Sequence, residues 1–426
     1  MTAIKFLKED NSLKDHKNKN SFSENSIFEI NPLNAFILKD TGLSKIKESI
    51  NNSNFSANKI VSEITNYINI HNQQELYLKF IEFIEQVGKH RSNKAWEILF
   101  YCHELIINSF SGFNQVLIIK IFDKLIAMLN SGYDSRAGEA LLLILSCLRD
   151  LSIPSSISQQ ELNTCSVTCI QTQLAIREPL EYLNIIDALA QNKTYFSLKK
   201  QLINPDWSFL ESKNDSRSIS CKLIQNSIFL LCNTEKHLFS RLGINGGLTS
   251  NTTFKAYQML FGDNFKLYKN FDYSPEQIVE ILKSTKPSKS NPVQISIHYT
   301  DSGSHTLHAV NVIDFDNKLQ DIRIINPWGR EEIIDISILK SKIFFIISTS
   351  SCDKNIPRIP DKFFNTDLKS QKLPWYQFSF ISKKMDINIT NEKLNKYLNC
   401  LNLEQKIDLI ISTYSFRLKK KDKFII

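Results

Sequence analysis

The chain has 426 residues, 42% of them apolar and 11% aromatic, enough to bury one large core or two and too apolar to be disordered over most of its length. Its net charge of +8 gathers toward the ends, at Lys5, Lys8, Lys14, Lys17 and Lys19 and again at Lys419 to Lys421 and Lys423, with no basic helix carrying interleaved aromatics. We therefore expect no nucleic-acid partner. Eight irregularly spaced cysteines without a C-x-x-C pair exclude a disulfide scaffold and argue against structural zinc, so we expect reduced thiols, no metal and no cofactor.

The N-terminus shows no apolar segment of the kind that opens a secretory signal, and the longest apolar runs, such as Ala140 to Leu148, are too short for a bilayer. These features lead us to expect no membrane span and a reducing cytosol, the cell's own or a host's. Residues 1–40, rich in Asn, Ser and Lys, read as a mobile polar tail.

From about 57 to 151 the apolar period is helical. Ile60, Ile64, Tyr67 and Ile68 share a stripe, followed by Leu76, Phe80, Phe83, Ile84 and Val87, then by Trp96, Leu99 and Phe100. Val116, Ile119, Phe122, Leu125, Ile126 and Leu129 form the next, and Ala140, Leu141, Ile144, Leu145 and Leu148 the last. Gly88, Gly112 and Gly132 act as stops. The pattern predicts a helical bundle over 41–151, serving as a prodomain, a lid or a recruiting module.

Pro154 and a run of serines break this period, and a second domain is expected over 152–350. Helices are predicted at 165–176, 179–191, 219–232, 250–261 and 275–284. Strands are predicted at Val293 to Tyr299, Leu307 to Asp314, Ile322 to Asn326 and Ile343 to Ser348. Helices first and an antiparallel sheet afterwards is an α+β layout. Residues 351–426 form a C-terminal extension with a basic tail and a late helical pattern near 391–413.

Three features of the second domain carry chemistry. Cys165 opens a helix, where the macrodipole and free N–H groups favour the thiolate that attacks carbonyls. Gln159, six residues earlier, is placed to donate from its amide, with the Cys165 N–H, to a developing oxyanion. His308 stands at the head of a strand with alternating apolar partners. Asn326 ends the next strand in Asn326-Pro327-Trp328-Gly329, joined to the first by the polar turn Asp314 to Gln320. That pairing would let Asn326 accept from one imidazole nitrogen of His308 and leave the other for the thiol, with Trp328 shielding the bond. Each residue alone reads equally as a core cysteine, a satisfied histidine or a turn opener.

In this order, Gln159, Cys165, His308 and Asn326-Pro327-Trp328-Gly329 resemble the papain-like cysteine peptidase superfamily, with the tetrapeptide closest to the calpain branch. The resemblance covers about 155 to 350. It implies a papain-like α+β domain, a helical subdomain plus an antiparallel sheet subdomain, and a protein or peptide substrate. It also implies Cys165 as nucleophile, His308 as base and acid, Asn326 as orienter and Gln159 as oxyanion donor. Asn163-Thr164 before Cys165 and Ser166 after it depart from the family's usual residues, and no calcium-binding acidic loop is present, so the match is to the catalytic frame. Divergent bacterial peptidases, some of them effectors delivered into host cells, are the members it looks most like.

Thr164 and Trp328 are expected to support the site. Gly303, Ser304 and His305 read as a loop lining the cleft, while Cys169, one helical turn beyond Cys165, reads as core. A transglutaminase, deamidase or acyltransferase would share the same Cys-His-Asn chemistry as far as the acyl-enzyme, and a catalytically silent binding protein built on the helical bundle is the third reading. Self-processing near 151–158 would follow if the bundle were a prodomain.

Overall fold

The computed structural model describes residues 57–349 except 91–93, 161–163, 212–214, 233–247, 263, 271, 302–303, 317, 319, 341. The polar tail expected at 1–40 and the extension expected at 351–426 lie outside the described residues.

Five helices come first: α1 (Ala57–Ile70), α2 (Gln74–Gly88), α3 (Ala95–Ile106), α4 (Gln115–Leu129) and α5 (Ala140–Ser152). Their stripes are buried as the period predicts, with Ile60, Ile64 and Ile68 of α1 and Leu76, Phe80 and Phe83 of α2 all at 2% exposure or less. Helix α2 lies against α4, where the Phe122 ring sits 5.2 Å from Phe83 and 6.3 Å from Phe80. Asn114 caps α4 by accepting from the Leu117 N–H, a bond worth about 1 kcal/mol. Gly112, in the turn before that cap, takes a φ of 65°, which costs a side-chain-bearing residue strain. One stripe position differs from expectation, since Val116 is 61% exposed whereas Ile118 and Ile121 are buried. Helix α4 is covered by α2, α5 and the later helix α7 (Pro179–Ala190), so its buried arc is wider than a single stripe and excludes the first turn.

Helix α6 (Cys165–Arg177) runs through the middle of the molecule, in contact with α5, α7, α8 (Ile219–Cys232), α9 (Ser250–Phe261) and the sheet. Every residue from Ser166 to Ile176 is buried, polar ones included. The polar side chains are paired: Thr168 and Thr172 hydroxyls donate to the carbonyls of Thr164 and Thr168, each at 2.9 Å. A small hairpin, β1 (Tyr195–Phe196) and β2 (Leu202–Ile203), follows α7.

The main sheet has six antiparallel strands in the order β3-β8-β4-β5-β6-β7. They are β3 (Phe265–Lys269), β4 (Val293–Asp301), β5 (Ser304–Asp316), β6 (Asp321–Asn326), β7 (Arg330–Asp335) and β8 (Ile343–Thr349). Helix α10 (Pro275–Ser284), started by a capping box between Ser274 and Gln277, covers one face, and the short α11 (Ile336–Leu339) precedes β8. The fold is mixed α+β. Strands β3 and β7 were not expected from sequence; both are outermost, and the short runs FKLYK and REEIID are interrupted by charged residues.

Two further departures concern the β4–β5 hairpin. Asp301, Ser304 and His305, expected in a loop, pair instead as strand, with Asp301 opposite Ser304 and Thr300 opposite His305. His308 is consequently four residues inside β5, opposite Ile297, rather than at its head.

One hydrophobic cluster runs from Ile60 in α1 through α6 to α9 and on to Phe344, Phe345 and Ile347 of β8. A second lies between α10 and the other face of the sheet, built from Ile278, Ile281 and Leu282 against Ile295, Val310 and Ile324. The chain crosses residue 152 inside the first cluster: Pro154, Ser155 and Ser156 form a buried helical turn, and Ile157 has no exposed surface. No helix among the described residues is long and apolar enough to cross a membrane.

Candidate active site

The site is assembled from four pieces of backbone. Cys165 is the first residue of α6, half-buried, and the sulfur is approached by the N–H groups of Ala309, of Ser166 and of Cys165 itself and by the Ser166 hydroxyl. Helix α6 is tied to β5 one turn further on, where Asn311 Nδ2 donates to the Cys169 carbonyl at 3.0 Å.

His308 is 4% exposed, and its Nε2 lies 2.9 Å from Asn326 Oδ1. The two residues meet because β5 and β6 pair antiparallel, with Asn311 opposite Ile325, as the turn between them led us to expect. Chain reversal after Asn326 is tight: the Gly329 N–H donates to the Asn326 carbonyl at 3.0 Å, and Gly329 takes a φ of 83°. This turn lays the Trp328 ring on the imidazole, with centroids 4.5 Å apart and planes 21° from parallel.

The Asn326 amide has one allowed orientation. Its Nδ2 donates to Glu332 Oε1 at 3.0 Å, and its Oδ1 accepts from the Trp328 N–H at 3.2 Å. Reversed, it would set carboxylate against carbonyl and N–H against N–H. Because Oδ1 only accepts, His308 Nε2 must carry the ring proton, which leaves Nδ1 as the basic nitrogen. Glu332, 2% exposed, also accepts from Arg330 Nε, and the Arg330 guanidinium lies 5.6 Å from the Trp328 ring centre. Sequence reasoning missed Glu332. The alternation of REEIID carried the signal, since Glu332 and Ile334 are its two inward positions.

Gln159 reaches the site through the same turn. Ser158 bridges Trp328, the Gln159 N–H donates to the Pro327 carbonyl at 2.7 Å, and Gln160 takes a φ of 53° to turn the chain toward Cys165. Gln159 is 6% exposed, and its Oε1 is buried with no hydrogen-bond partner. Half a turn of the amide exchanges Oε1 for Nε2, so this group is available as a donor.

Electrostatics modify one expectation. The N–H groups at the start of α6 do pull the Cys165 thiol pKa down, but burial is the larger influence and the net direction is upward. Burial also pushes His308 down to about 4; the Asn326 bond opposes this and the Arg330 charge reinforces it. Burial thus favours the neutral form of both the thiol and the imidazole.

No family model matches this chain, and no curated protein does.

The remaining expected residues divide clearly. Thr164 flanks Cys165 and donates through Oγ1 to Gln225 Oε1 at 3.1 Å. Ser304 and His305 lie on β5, and the His308 side chain meets Asn326. Gly303 lies outside the described residues. Cys169 is 1% exposed with its thiol pushed well above its ordinary range by burial, which leaves it inert in the core. Among the described residues no group of three or more His, Cys, Asp or Glu side chains is arranged to hold a metal ion.

Proposed function

We propose that this chain is a cysteine peptidase with a papain-like catalytic frame, acting on a protein or peptide through an acyl-thioester on Cys165. The observation that carries the reading is the His308–Asn326 bond, on a strand against which the helix that begins at Cys165 packs. Support also comes from Gln159, whose buried amide has an unfilled bonding position on the adjoining loop. All six cysteines among the described residues are free thiols, which suits a reducing compartment.

In this mechanism the neutral imidazole takes the Cys165 proton at Nδ1 as the sulfur attacks the substrate carbonyl carbon. The carbonyl oxygen becomes an oxyanion, held by the Cys165 N–H and Gln159 Nε2. The tetrahedral carbon then expels the amine, which leaves with the proton from His308. Water, deprotonated by the now neutral His308, attacks the thioester, releasing the acid and restoring the thiol. Asn326 keeps the ring oriented through both halves, and Trp328 keeps water from its hydrogen bond.

Comparison of protein termini in a cell lysate treated with the wild-type chain or with Cys165→Ala tests this reading. New termini that depend on Cys165 are expected. Their absence, with target amides converted to acids or to amine adducts instead, would move the chain to the deamidases or acyltransferases. Undiminished labelling by an epoxide thiol inhibitor after Cys165→Ala would remove Cys165 from the role.

A further inference from the structure

The loop that carries Gln159 is held from beneath by a buried polar chain that begins at Asp150 on α5. Asp150 has no exposed surface, and its carboxylate can only accept; it does so from the Tyr182 hydroxyl at 2.7 Å, from the Ser220 hydroxyl at 2.6 Å and from Gln171 Nε2 at 3.3 Å. With its nitrogen committed to Asp150, the Gln171 amide must turn its oxygen toward Gln225. Gln225 therefore presents Nε2 to Gln171 Oε1 at 2.7 Å, and the same nitrogen donates to the Ser158 carbonyl at 3.3 Å. Its oxygen is left to accept from Arg217 at 2.9 Å and from the Thr164 hydroxyl at 3.1 Å. Two amide orientations in succession are thus dictated by one carboxylate.

The positions that Gln225 grips are informative. Ser158 immediately precedes Gln159, and Thr164 immediately precedes Cys165. Gln225 is fully buried and bonds to both ends of the short segment between them, while the opposite side of that segment is held by the Pro327 carbonyl. The residue before Gln159 and the residue before Cys165 are thus held by one side chain, and an oxyanion donor acts only when its position is fixed in advance.

We infer that Gln225 is a positioning residue for the oxyanion donor: by clamping Ser158 and Thr164 it sets where the Gln159 amide stands relative to the Cys165 sulfur. This inference rests on the cysteine-peptidase reading, and it gives the N-terminal helices a role in the site, since the chain of fixed amides starts on α5.

Two variants test it. Gln225→Leu removes every bond of the clamp; Gln225→Glu keeps the acceptor for Thr164 and Arg217 but loses both donations, to Ser158 and to Gln171. Amide hydrogen exchange at Gln159 is expected to quicken about tenfold in either, the equivalent of one or two lost hydrogen bonds, with amides in the middle of α8 and β5 unchanged. Acetyl-leucyl-leucyl-norleucinal, an aldehyde that traps the cysteine as a tetrahedral adduct with its oxygen in the oxyanion position, should bind about tenfold or more weakly. Alkylation of Cys165 by iodoacetamide, which creates no oxyanion, should stay within about twofold. Unchanged exchange at Gln159, or exchange that quickens equally along α8, would overturn the inference, as would parallel losses in aldehyde binding and alkylation. Should the wild-type chain form no Cys165 adduct with the aldehyde, the peptidase reading itself is damaged, and the Gln159 exchange still decides whether Gln225 fixes the loop.

Discussion

A histidine held neutral at 4% exposure makes the fold sensitive to acid in a way that one substitution should cancel. In the unfolded chain His308 takes a proton near its ordinary pKa of about 6.5. In the folded chain, burial delays protonation until about 4. Between those values the unfolded state binds more protons, so stability is full above about 6.5 and declines as the pH falls toward 4. The gap of about 2.5 pH units corresponds to about 3.5 kcal/mol at about 1.4 kcal/mol per unit, most of it lost by pH 4.5. His308→Gln keeps a polar group of similar reach to Asn326 but removes the titration. Urea unfolding of both proteins at pH 7.5 and pH 4.5, followed by tryptophan fluorescence, should show the wild type losing about 2.5 kcal/mol more than the variant across that interval. Equal acid losses in the two proteins would refute the reasoning, as would an NMR titration of His308 centred near its ordinary value.

Other consequences are measurable in the same way. Glu332→Leu leaves the Asn326 amide and the Arg330 guanidinium without their acceptor, and urea unfolding should register a loss of about 2–3 kcal/mol. Adding Arg330→Met should recover part of it, because one stranded donor disappears. Asp150→Asn turns an acceptor that serves several donors into a group with two N–H bonds of its own, and thermal unfolding should report a loss of about 3 kcal/mol or more. The peptide bonds from Pro154 to Ser158 are buried, so the pure protein, followed by intact mass over days, should show no Cys165-dependent cut there.

Much of the architecture was legible because periodicity reports burial directly. The stripes of α1, α2 and α4 and the apolar runs of β4, β6 and β8 are continuous enough to reveal both element and face. The edge strands β3 and β7 were not, because each is a short run interrupted by charged residues, some of them buried. The start of α6 at Cys165 and the end of β6 at Asn326 could be read from spacing, and the β5–β6 turn implied the meeting of Asn326 with His308. Glu332 and Gln225 could not be found so easily. Glu332 is a carboxylate in a charged run, and its burial follows only once β7 is known. Gln225 sits within ISCKLIQNSIFLLC, where nothing local indicates that a lone glutamine spans two ends of a distant loop. The net rise in the Cys165 thiol pKa was likewise out of reach, since a helix start is visible in sequence and the depth of the surrounding packing is not.

The sheet order has a consequence for the order in which the molecule can be made. Strand β8, the last described element to leave the ribosome, is inserted between β3 and β4, so the sheet has a vacant slot until residue 349 has emerged. Until then β4, buried on both faces along Val293 to Ile297 and apolar on one of them, presents an unpaired edge that β8 alone fills in the finished fold. Cys165 and His308 are both synthesised well before that point. The scaffold that holds them together closes late, which delays any hydrolytic capacity of the nascent chain until it is nearly complete through β8.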